Sequence, residues 1–373
     1  MITSIKKNLK SFYKNFVIFI FSQIYKKPRL IKRSKKDQSI EEYEIILDKN
    51  KYKIFRLVNG RIFTDTNDTT AYISKYGNLS IASMQYKKFD KINSLNKTLS
   101  KNETLTRGTP KFKKKFKGNI LSLVSGGAAK NNFTHWFTDV VPRLKIFNKR
   151  FHIKIIDKFY VPSLKYNYQY DSLNLLGIKK DQIITSEDFK HIEAENIFAT
   201  SHPCDHHPMK VKKWSLNFIR NLYLKKSKNQ KYVKIFIDRN QINLVNFKNL
   251  IKYKNLRILI NEIEIKQYLK SRGFRIIKPE NFTFSKQVQI FSNANLVVGM
   301  YGAAMMMLSF CKKKTKVLEI KPIKGGNEFK NISRLIGLKH KQINLKPIYK
   351  SSTPQNGLIM CPIKKIKKSL NYY

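Results

Sequence analysis

The fold class follows from the sequence NLVVGMYGAA, residues 295–304. A short apolar run typical of a buried strand leads into a glycine turn, and two alanines then begin a helical pattern. Strand and helix patterns alternate on both sides of this stretch. Such alternation predicts a parallel sheet whose strands are joined by helical crossovers, and therefore an α/β fold.

The alternation extends over most of the chain. A length of 373 residues exceeds one ordinary domain and suits two domains with a cleft between them. Predicted strands cover residues 119–124, 159–161, 192–198, 232–237, 274–277, 295–298 and 317–320. Predicted helices cover residues 131–148, 170–176, 209–224, 262–271, 285–293, 303–310 and 327–336.

The N-terminal part of the chain departs from this alternation. Short β-rich runs at residues 41–88 are separated by Asn59-Gly60 and Gly77-Asn78, which are dipeptides typical of hairpin turns, so we expect an antiparallel β-meander. The apolar run 15–25 has basic flanks and is too short to cross a bilayer. It fits either a helix on a membrane surface or a helix packed on the protein itself.

These patterns suggest a division of the chain into four parts. We expect a basic N-terminal segment, which is a candidate for contact with a membrane surface, at 1–40, a first domain at 41–205, a second, α/β domain at 206–345, and a C-terminal tail at 346–373.

The chain is strongly basic, with 75 Lys and Arg against 24 Asp and Glu and a formal net charge of +51. One interpretation is an anionic partner, and the other is compositional bias in a chain rich in Lys, Asn and Ile. The charge is spread along the whole chain, which favours bias. Even an unselected charge attracts a protein to anionic lipid. Because no RNA-binding motif or DNA recognition helix stands out, we expect no nucleic-acid partner.

The three cysteines, Cys204, Cys311 and Cys361, are too few and too scattered for a disulfide framework or a zinc ribbon. We expect buried free thiols. The cluster His202-Pro203-Cys204-Asp205-His206-His207 resembles a metal site in composition, but its spacing fits no zinc pattern, and adjacent side chains rarely converge on one ion. We therefore expect no metal ligand and an inter-domain loop that touches a ligand.

The first candidate for chemistry is NFTHWFTDVVPRL, residues 132–144, which opens a helix after a small-residue turn at 126–129. His135, Asp139 and Arg143 share a stripe at spacing i, i+4, i+8. Pro142 cannot donate to the preceding turn and should kink the helix, so that Asp139 turns towards open space. This arrangement suits acid–base catalysis. The alternative is an amphipathic helix whose His and Asp merely pair locally.

Two arginines in the C-terminal half of the chain lie next to the ends of predicted strands and helices. Arg239 comes directly after the predicted strand 232–237, and Arg257 precedes Asn261-Glu262 at the start of a helix. Ligands of open α/β sheets bind beyond the carboxyl ends of strands, and a guanidinium group matches phosphate in geometry and charge. The alternative is a solvated basic face.

The segment after residue 298 offers a second phosphate contact. Small residues such as Gly302 and Ala303 at a helix start let a diphosphate approach the backbone N–H groups and the positive end of the helix, although such turns also occur without a ligand. Glu319 lies in a predicted buried strand, where an unpaired carboxylate is costly. Its partner would be a ribose diol, an arginine or a structural ion pair.

Taken in order, these blocks resemble glycosyltransferase family 61, which includes bacterial capsule-type transferases, plant xylosyltransferases and some eukaryotic N-acetylglucosaminyltransferases. The resemblance runs from about residue 118 to residue 322. It is carried by NFTHW at 132–136 with Asp139 and PRL at 142–144, by Arg239, by Arg257 with Asn261-Glu262, by ENFTFSKQ at 280–287, and by residues 302–304 and 317–320.

The resemblance implies a GT-B-like fold of two Rossmann-like domains facing a cleft. The domain at 41–205 would then be the acceptor-side domain, and the domain at 206–345 would be the nucleotide-sugar-binding, Rossmann-like domain. It implies inverting transfer from a nucleotide sugar to a glycan acceptor, without a metal or other cofactor. Asp139 or His135 would deprotonate the acceptor hydroxyl. The candidates for donor binding are Arg239, Arg257, Gly302, Ala303 and Glu319. The candidates for the acceptor side or the cleft are Asn132, Trp136, Arg143 and Tyr301.

The biological setting expected from the resemblance is the synthesis of bacterial surface polysaccharide, either capsule or lipopolysaccharide. The acceptor would then be a glycan or a lipid-linked glycan. Together with the basic N-terminal segment, this suggests a cytoplasmic protein in peripheral contact with the inner, anionic face of the membrane.

One departure from the family leaves two other functions open. The family usually has His-Gly-Ala-Gly where this chain has Tyr301-Gly302-Ala303-Ala304, and residues 305–307 are methionines in place of polar residues. This motivates an alternative, a non-catalytic relative that binds a nucleotide sugar or a glycan. A nucleic-acid-binding protein is a third hypothesis, motivated by charge alone.

Overall fold

A computed structural model describes residues 2–31, 37–65, 70–83, 99–124, 130–206, 209–224, 233–239 and 247–371. The predicted small-residue turn at 126–129 lies outside these ranges. The chain divides into two compact units, Met1–Ser215 (unit 1) and Leu216–Tyr373 (unit 2). Both units combine helices with parallel strands, so the mixed α/β class is confirmed.

A nine-stranded sheet organises unit 1, in the order β1-β5-β4-β3-β9-β6-β7-β8, with β2 paired to β3. The pairs β2–β3, β3–β4, β4–β5 and β3–β9 are antiparallel. In contrast, β1 pairs in parallel with β5, β6 pairs in parallel with both β7 and β9, and β7 pairs in parallel with β8. The strands are β1 (Arg29–Leu30), β2 (Ile40–Leu47), β3 (Asn50–Thr64), β4 (Thr70–Ile73), β5 (Asn78–Leu79), β6 (Lys114–Ser122), β7 (Lys158–Val161), β8 (Ile183–Thr185) and β9 (His191–Thr200), followed by the small ribbon β10 (Asp205–His206) and β11 (Met209–Lys210).

The predicted meander is confirmed, but one of its turns is wrong. Gly77 has a φ of +82° in the turn between β4 and β5, as its sequence predicts. Asn59-Gly60 makes no hairpin, because β3 runs straight through it, and the hairpin turn lies at Asp48-Lys49 instead. Gly60 has a packing reason: a Cβ there would lie 2.6 Å from the Cβ of Leu57.

The helices of unit 1 lie mainly in its connections. The predicted helix 131–148 is confirmed as a helical run, although it consists of two α-helices separated by a π-turn at Trp136–Val140. Among the described residues, no helix has the length and apolarity needed to cross a bilayer. The helices are α1 (Ile2–Tyr25), α2 (Thr104–Arg107), α3 (Phe133–His135), α4 (Pro142–Phe147), α5 (Asn167–Asn174) and α6 (Lys213–Tyr223), whose last residues belong to unit 2, with 3-10 turns at Ile81–Ser83, Ile153–Ile155 and Lys180–Gln182.

Unit 2 is built on a five-stranded, all-parallel sheet in the order β14-β12-β15-β16-β17, which confirms the predicted strand–helix alternation there. Strands β13 and β18 form a separate two-stranded parallel sheet in the same unit. The strands are β12 (Val233–Ile237), β13 (Arg257–Leu259), β14 (Phe274–Ile277), β15 (Ala294–Met300), β16 (Lys316–Pro322), β17 (Lys339–Leu345) and β18 (Gly357–Ile359). The helices are α7 (Glu262–Ser271), α8 (Phe284–Ser292), α9 (Glu328–Ile336) and α10 (Ile363–Asn371), with 3-10 helices at Phe247–Tyr253, Pro279–Asn281 and Ala303–Phe310.

The strand order of unit 2 marks the place where a ligand is expected. The first strand of the sheet, β12, lies between β14 and β15, so the connection that leaves β12 towards β14 and the connection that leaves β15 towards β16 run in opposite directions across the sheet. In open α/β sheets ligands bind at such a switch point, outside the carboxyl ends of the strands. Residues directly after β12 and β15 are therefore the ones to inspect.

Candidate active site

The helix of unit 1 begins with a side-chain cap. The Oδ1 atom of Asn132 accepts hydrogen bonds from the backbone N–H groups of Thr134, at 2.9 Å, and His135, at 3.3 Å. An asparagine in this position satisfies N–H groups that have no partner inside the helix. Asn132 thus fixes the turn that carries His135, and its structural role is a cap.

Pro142 disturbs the helix as predicted. Proline has no N–H for the preceding turn, and the helix widens into a π-turn in which Val141 N donates to the oxygen of Trp136, at 3.0 Å. Arg143 then stabilises the break. Its Nε donates to the oxygen of Asp139, at 2.9 Å, and its Nη1 donates to the oxygen of Thr200, at 2.7 Å. Arg143 is buried by these contacts, so its predicted place at the acceptor side is wrong.

The direction of the break differs from the prediction. Asp139 turns inwards, and its side chain is 0% exposed. Its carboxylate accepts from His135 Nδ1 at 2.6 Å, from Thr138 Oγ1 at 2.8 Å and from Cys204 Sγ at 3.2 Å. Three protein donors therefore occupy the carboxylate, which is the physical reason that it lies inside rather than in open space.

His135 is the member of the pair that reaches the surface. Its side chain is 21% exposed, and its Nδ1 faces the buried carboxylate of Asp139. When Nδ1 carries the proton for this hydrogen bond, the neutral ring has its lone pair on Nε2. That tautomer is the form a general base requires, so Asp139 can orient His135 while His135 exchanges the proton.

Trp136 does not lie at a cleft. It is fully buried, and its Nε1 donates to Ser172 Oγ on α5, at 2.8 Å. The prediction that it lies on the acceptor side is therefore wrong. A tryptophan with its N–H paired inside a core contributes packing rather than ligand contact.

One group in unit 1 has the composition of a metal site. The ligand atoms of Asp139, His202 and Cys204 all lie within 4.8 Å of one another in the part of the chain that the structure describes. Oxygen, imidazole and thiolate are a donor set that zinc accepts. The sequence showed His202 and Cys204 as part of a cluster with metal-like composition, but it did not indicate Asp139, which is 63 residues before His202 and is brought there by the fold. The expectation that this cluster offers no metal ligand took no account of Asp139. The side chains of residues 205–207 lie outside what the structure describes.

In unit 2 the switch point is occupied by an arginine and a glycine turn. Arg239 follows β12 and donates from Nη1 to the oxygen of Tyr301, which follows β15, at 2.9 Å. A Cβ placed on Gly302 would lie 2.7 Å from that Nη1 and 3.0 Å from Cζ. A side chain at position 302 would therefore displace the guanidinium group, which lies against the backbone there. The structure thus places these two candidates in contact within unit 2, and their role in donor binding stays a prediction.

Two further cations lie over the ring of Tyr301. The Arg257 guanidinium lies 5.1 Å from the centroid of its ring, and the Lys321 ammonium lies 5.7 Å from it. The ring is buried, and its hydroxyl donates to Glu328 and, at 3.2 Å, to Gln355. Contacts of this type stabilise a cation over an aromatic ring. Tyr301 is therefore a support for the basic cluster, and the sequence did not identify Lys321 or Glu328.

Burial opposes the charges of this cluster. Burial, together with the neighbouring Arg257, lowers the pKa of Arg239 to about 10, and burial also lowers the pKa of Lys321. Arg239 still carries its proton near neutral pH. Because like charges lie close together and partly away from water, an anion bound among them is favoured.

Two buried carboxylates, Asp238 and Glu262, lie near the backbone of Arg239. Asp238 accepts from Lys266 Nζ at 2.8 Å, and Glu262 accepts a hydrogen bond from the backbone N–H of Arg239. Burial raises the pKa of Glu262, while Lys266 opposes that rise. The Asn261-Glu262 pair of the sequence thus has a supporting role, since Asn261 also bonds the backbone of Cys361 at both its N–H and its oxygen.

Glu319 is paired, as predicted, and its partners are a histidine and a glutamine rather than an arginine. Its Oε2 accepts from His340 Nε2 at 3.1 Å and from Gln342 Nε2 at 2.7 Å, both on the neighbouring strand β17. The residue is buried, and Oε1 has no hydrogen-bond partner among the described residues. Of the three partners considered, the structural pair is the one found.

The remaining candidates separate into surface and core. Ala303 is half-buried at the start of the 3-10 helix that follows Gly302, whereas Met305, Met306 and Met307 are completely buried. The methionines therefore fill the core behind the turn and do not line a ligand site. All three cysteines are free and buried, which confirms that prediction.

This chain resembles one protein family and, much more remotely, a solved structure. The family model described as Glycosyltransferase 61 matches residues 133–318. Among solved structures, the chain is similar to the bacterial iron-containing dodecameric glycosyltransferase TibC from enterotoxigenic E. coli H10407, with 11% sequence identity, 81% of each chain covered and a TM-score of 0.29. A likeness at that level carries no argument about this chain. No curated protein matches its sequence.

Proposed function

Because the chain belongs to the glycosyltransferase 61 family, we propose that it is an inverting transferase that moves a sugar from a nucleotide sugar to a glycan acceptor. Family membership establishes glycosyl transfer in general, and we propose the inverting course, the nucleotide-sugar donor and the glycan acceptor. The observation that carries it is the cluster of Arg239, Arg257 and Lys321 around Tyr301-Gly302 at the switch point of the unit 2 sheet.

We assign the donor diphosphate to this cluster. As the glycosidic bond of the donor breaks, negative charge grows on the departing nucleoside diphosphate. Arg239 and Arg257 offer planar N–H donors that match phosphate oxygens, and Lys321 adds a third positive charge. The backbone at Gly302 and Ala303 admits the phosphate closely. Fixed cations of this kind replace a divalent metal ion, so we propose transfer that is independent of metal.

We assign the proton transfer to His135. In an inverting reaction the acceptor oxygen attacks the anomeric carbon, its proton passes to Nε2 of His135, and the bonding electrons leave with the diphosphate. Asp139 holds the ring through Nδ1 and stabilises the imidazolium as it forms. Asp139 is thus a positioning residue, because its carboxylate is buried under three protein donors.

The wider setting remains part of the proposal. We expect the GT-B arrangement, a hexosyl or pentosyl donor, and a glycan or lipid-linked glycan acceptor of bacterial capsule or lipopolysaccharide synthesis. The formal charge of +51 supports peripheral contact with an anionic membrane surface at its cytoplasmic face.

Donor binding to purified protein tests the central assignment. UDP-, GDP- and CMP-sugars are screened by thermal shift and titrated by calorimetry, with Arg239→Ala against Arg275→Ala, an exposed arginine of the same unit. We expect Arg239→Ala to weaken binding of the preferred donor about 10- to 100-fold, since a hydrogen bond to a charged group contributes ~1.5–3 kcal/mol. Equal affinities of the two variants would contradict the assignment.

Chelation tests the proposed independence of metal. Transfer measured after dialysis against EDTA should keep its rate, and Cys204→Ser should leave it unchanged in the presence or absence of Zn²⁺. A rate that falls on chelation and returns with a divalent ion would show that Asp139, His202 and Cys204, or another group, serves a catalytic metal.

The non-catalytic alternative rests on Tyr301. Where the family usually has histidine, this chain has a tyrosine whose hydroxyl bonds Glu328 and Gln355. A donor contact made by that histidine would be absent here. Saturable donor binding with neither transfer nor donor hydrolysis, over the same panel of sugars, would favour a binding protein over an enzyme.

A further inference from the structure

Helix α1 presents large apolar side chains to the outside. Phe12 is 74% exposed, Phe19 is 60% exposed, and Leu9, Tyr13 and Phe16 are also exposed. The helix carries no acidic residue, and Lys10 and Lys14 lie among these side chains. A helix that is rich in exposed aromatic residues and lysines has the composition of one that lies at a membrane interface.

The C-terminal end of α1 is fixed to the sheet of unit 1. The oxygen of Tyr25 accepts from Arg61 Nη2 at 3.0 Å, and its hydroxyl accepts from the backbone N–H of Lys113 at 3.1 Å. Its ring packs edge-on against His191, with centroids 4.9 Å apart. The exposed part of the helix therefore projects from an anchored end, so its position relative to that end is defined.

A cavity of about 620 Å³ opens beside the anchored end of α1. This volume lies in the range of small-molecule sites. Six of the residues that line it are basic and one is acidic, namely Lys26, Lys27, Arg29, Arg61, Lys75 and Lys113 against Glu193.

Most of this positive charge is not compensated. Lys113 forms an ion pair with Glu193. The other five cations form no ion pair with a carboxylate among the described residues: Arg61 bonds backbone oxygens, and Arg29 bonds Asn78 and the oxygen of Tyr76. Arg61 is also buried, and burial lowers its pKa. A concave site with this excess of positive charge attracts an anion.

We propose that this cavity binds the phosphate of a membrane lipid while the exposed side chains of α1 enter the membrane surface beside it. A soluble anion would account for the cations but not for the adjacent apolar helix, and a neutral bilayer would account for the helix but not for the cations. A lipid phosphate has both properties in one molecule. The inference rests on the membrane contact of the proposed function and gives that contact a specific site.

Vesicle binding separates the cavity from the general charge of the chain. The full chain is sedimented with vesicles of phosphatidylcholine alone and with added phosphatidic acid. The triple variant Lys26→Ala, Lys27→Ala, Lys75→Ala is compared with Lys149→Ala, Lys179→Ala, Lys180→Ala, three exposed lysines of the same unit. We expect the first to lose about 100-fold in affinity for the acidic vesicles, and the control less than about twofold, since each lysine held at an anionic surface contributes roughly a fivefold factor.

Soluble ligands test the cavity without a bilayer. Calorimetry with dihexanoyl phosphatidic acid below its micellar concentration should show saturable binding that the cavity variant loses. Replacing Phe12, Phe16 and Phe19 by serine should abolish vesicle binding but leave binding of the short-chain lipid intact. Equal losses in both lysine triples, or inorganic phosphate binding as tightly as the lipid, would overturn the proposal, and so would self-association through α1 without vesicle binding.

These measurements need no sugar transfer. They use neither donor nor acceptor, and the lysines lie outside the residues assigned to catalysis. If transfer to every acceptor fails while lipid binding follows the expected pattern, the cavity assignment stands and the transferase proposal falls. If transfer to a water-soluble acceptor proceeds and both lysine triples bind vesicles alike, the transferase proposal stands and the cavity assignment falls.

Discussion

The contact between His135 and Asp139 joins a partly exposed ring to a buried charge. The carboxylate is held by Thr138 and Cys204 as well, so its position does not depend on the histidine alone. This arrangement gives the two residues different chemistry although the sequence treats them as equivalent candidates. His135 can meet a substrate, and Asp139 can only act through it.

The first prediction follows for His135→Gln. Glutamine can still donate to Asp139 but cannot accept a proton as a base, so kcat should fall by about 10²–10⁴, the usual contribution of general base catalysis. The donor dissociation constant and the melting temperature should stay close to wild type, because His135 is partly exposed. Steady-state kinetics and calorimetry check this.

The matched control for that variant is His152→Gln, an exposed histidine of the same unit. It should leave kcat unchanged. Asp139→Asn should also lower kcat while leaving donor binding, but it places a buried amide among three donors and should cost stability as well, about 1–3 kcal/mol. A His135→Gln enzyme that turns over at the wild-type rate would remove the histidine from the mechanism.

The second prediction concerns Gly302. In Gly302→Ala the new Cβ would overlap the Arg239 guanidinium, at 2.7 Å from Nη1 and 3.0 Å from Cζ. Arg239 must then move, and donor affinity should fall about as far as in Arg239→Ala, roughly 10- to 100-fold. Because both changes remove one interaction, the double variant should be little weaker than either single variant. Calorimetry of all four proteins gives the coupling, and additive losses would mean that Gly302 acts independently.

At the scale of elements, the two units were not equally predictable. The helix Glu262–Ser271 and the strand Phe274–Ile277 have the bounds that the sequence predicts. Strands of a parallel sheet are buried on both faces, so they stand out as apolar runs between polar helices. The meander lacks this contrast, and Asn59-Gly60 carries a hairpin signature although packing against Leu57 is what requires glycine there.

The site was predictable only where its residues follow an element directly. Arg239 and Gly302 follow neighbouring parallel strands, whose carboxyl ends must meet, so the sequence brings them together. Pro142 predicts a break in the helix, but it does not predict the side to which Asp139 turns, because that depends on Cys204 and Thr138. Nothing in the sequence distinguishes Lys321 from the other lysines, because its position near Tyr301 depends on the fold.

The third prediction concerns the contact of β9 with α1 and the segment before β6. His191 Nδ1 lies 2.9 Å from the oxygen of Lys111, and Arg61 Nη1 lies 3.5 Å from its Nε2, so the neutral ring fits and a second proton would face a guanidinium. Burial, and then Arg61 and Lys113, lower the pKa of His191 to about 4, against 6.5 unfolded, although Lys111 and Glu193 oppose the shift. As the pH falls, His191 is therefore protonated at a higher pH in the unfolded chain than in the folded chain.

Stability linked to His191 is complete above pH 6.5 and is lost as the pH falls towards 4. The loss should be about 3 kcal/mol for unit 1, from 1.36 kcal/mol for each pKa unit. Both tryptophans, Trp136 and Trp214, lie in unit 1, so urea unfolding followed by their fluorescence reports on it. His191→Gln should flatten the pH dependence over this interval relative to His152→Gln. Parallel curves for the two variants would show that His191 does not set it.

At the scale of the whole molecule, the net positive charge is evident from the composition, and the fold concentrates part of it at particular sites. The +51 charge spans both units, but only some of it is concentrated at sites: three cations around Tyr301 in unit 2 and six around one cavity in unit 1. Localised cations bind a small anion at short range, whereas dispersed charge acts through a long-range field that salt screens.

The last prediction uses that difference to separate a transferase from a nucleic-acid-binding protein. A chain of this charge should bind any DNA or RNA at low ionic strength, with an affinity that falls by about 10³–10⁵ between 50 and 200 mM salt when six to ten phosphates are neutralised. Donor binding should fall far less, because a single diphosphate contacts few cations and they are partly buried. Fluorescence anisotropy with unrelated duplexes, beside donor titration over the same salt series, measures both. A sequence-selective affinity that survives physiological salt would instead place the function with nucleic acid.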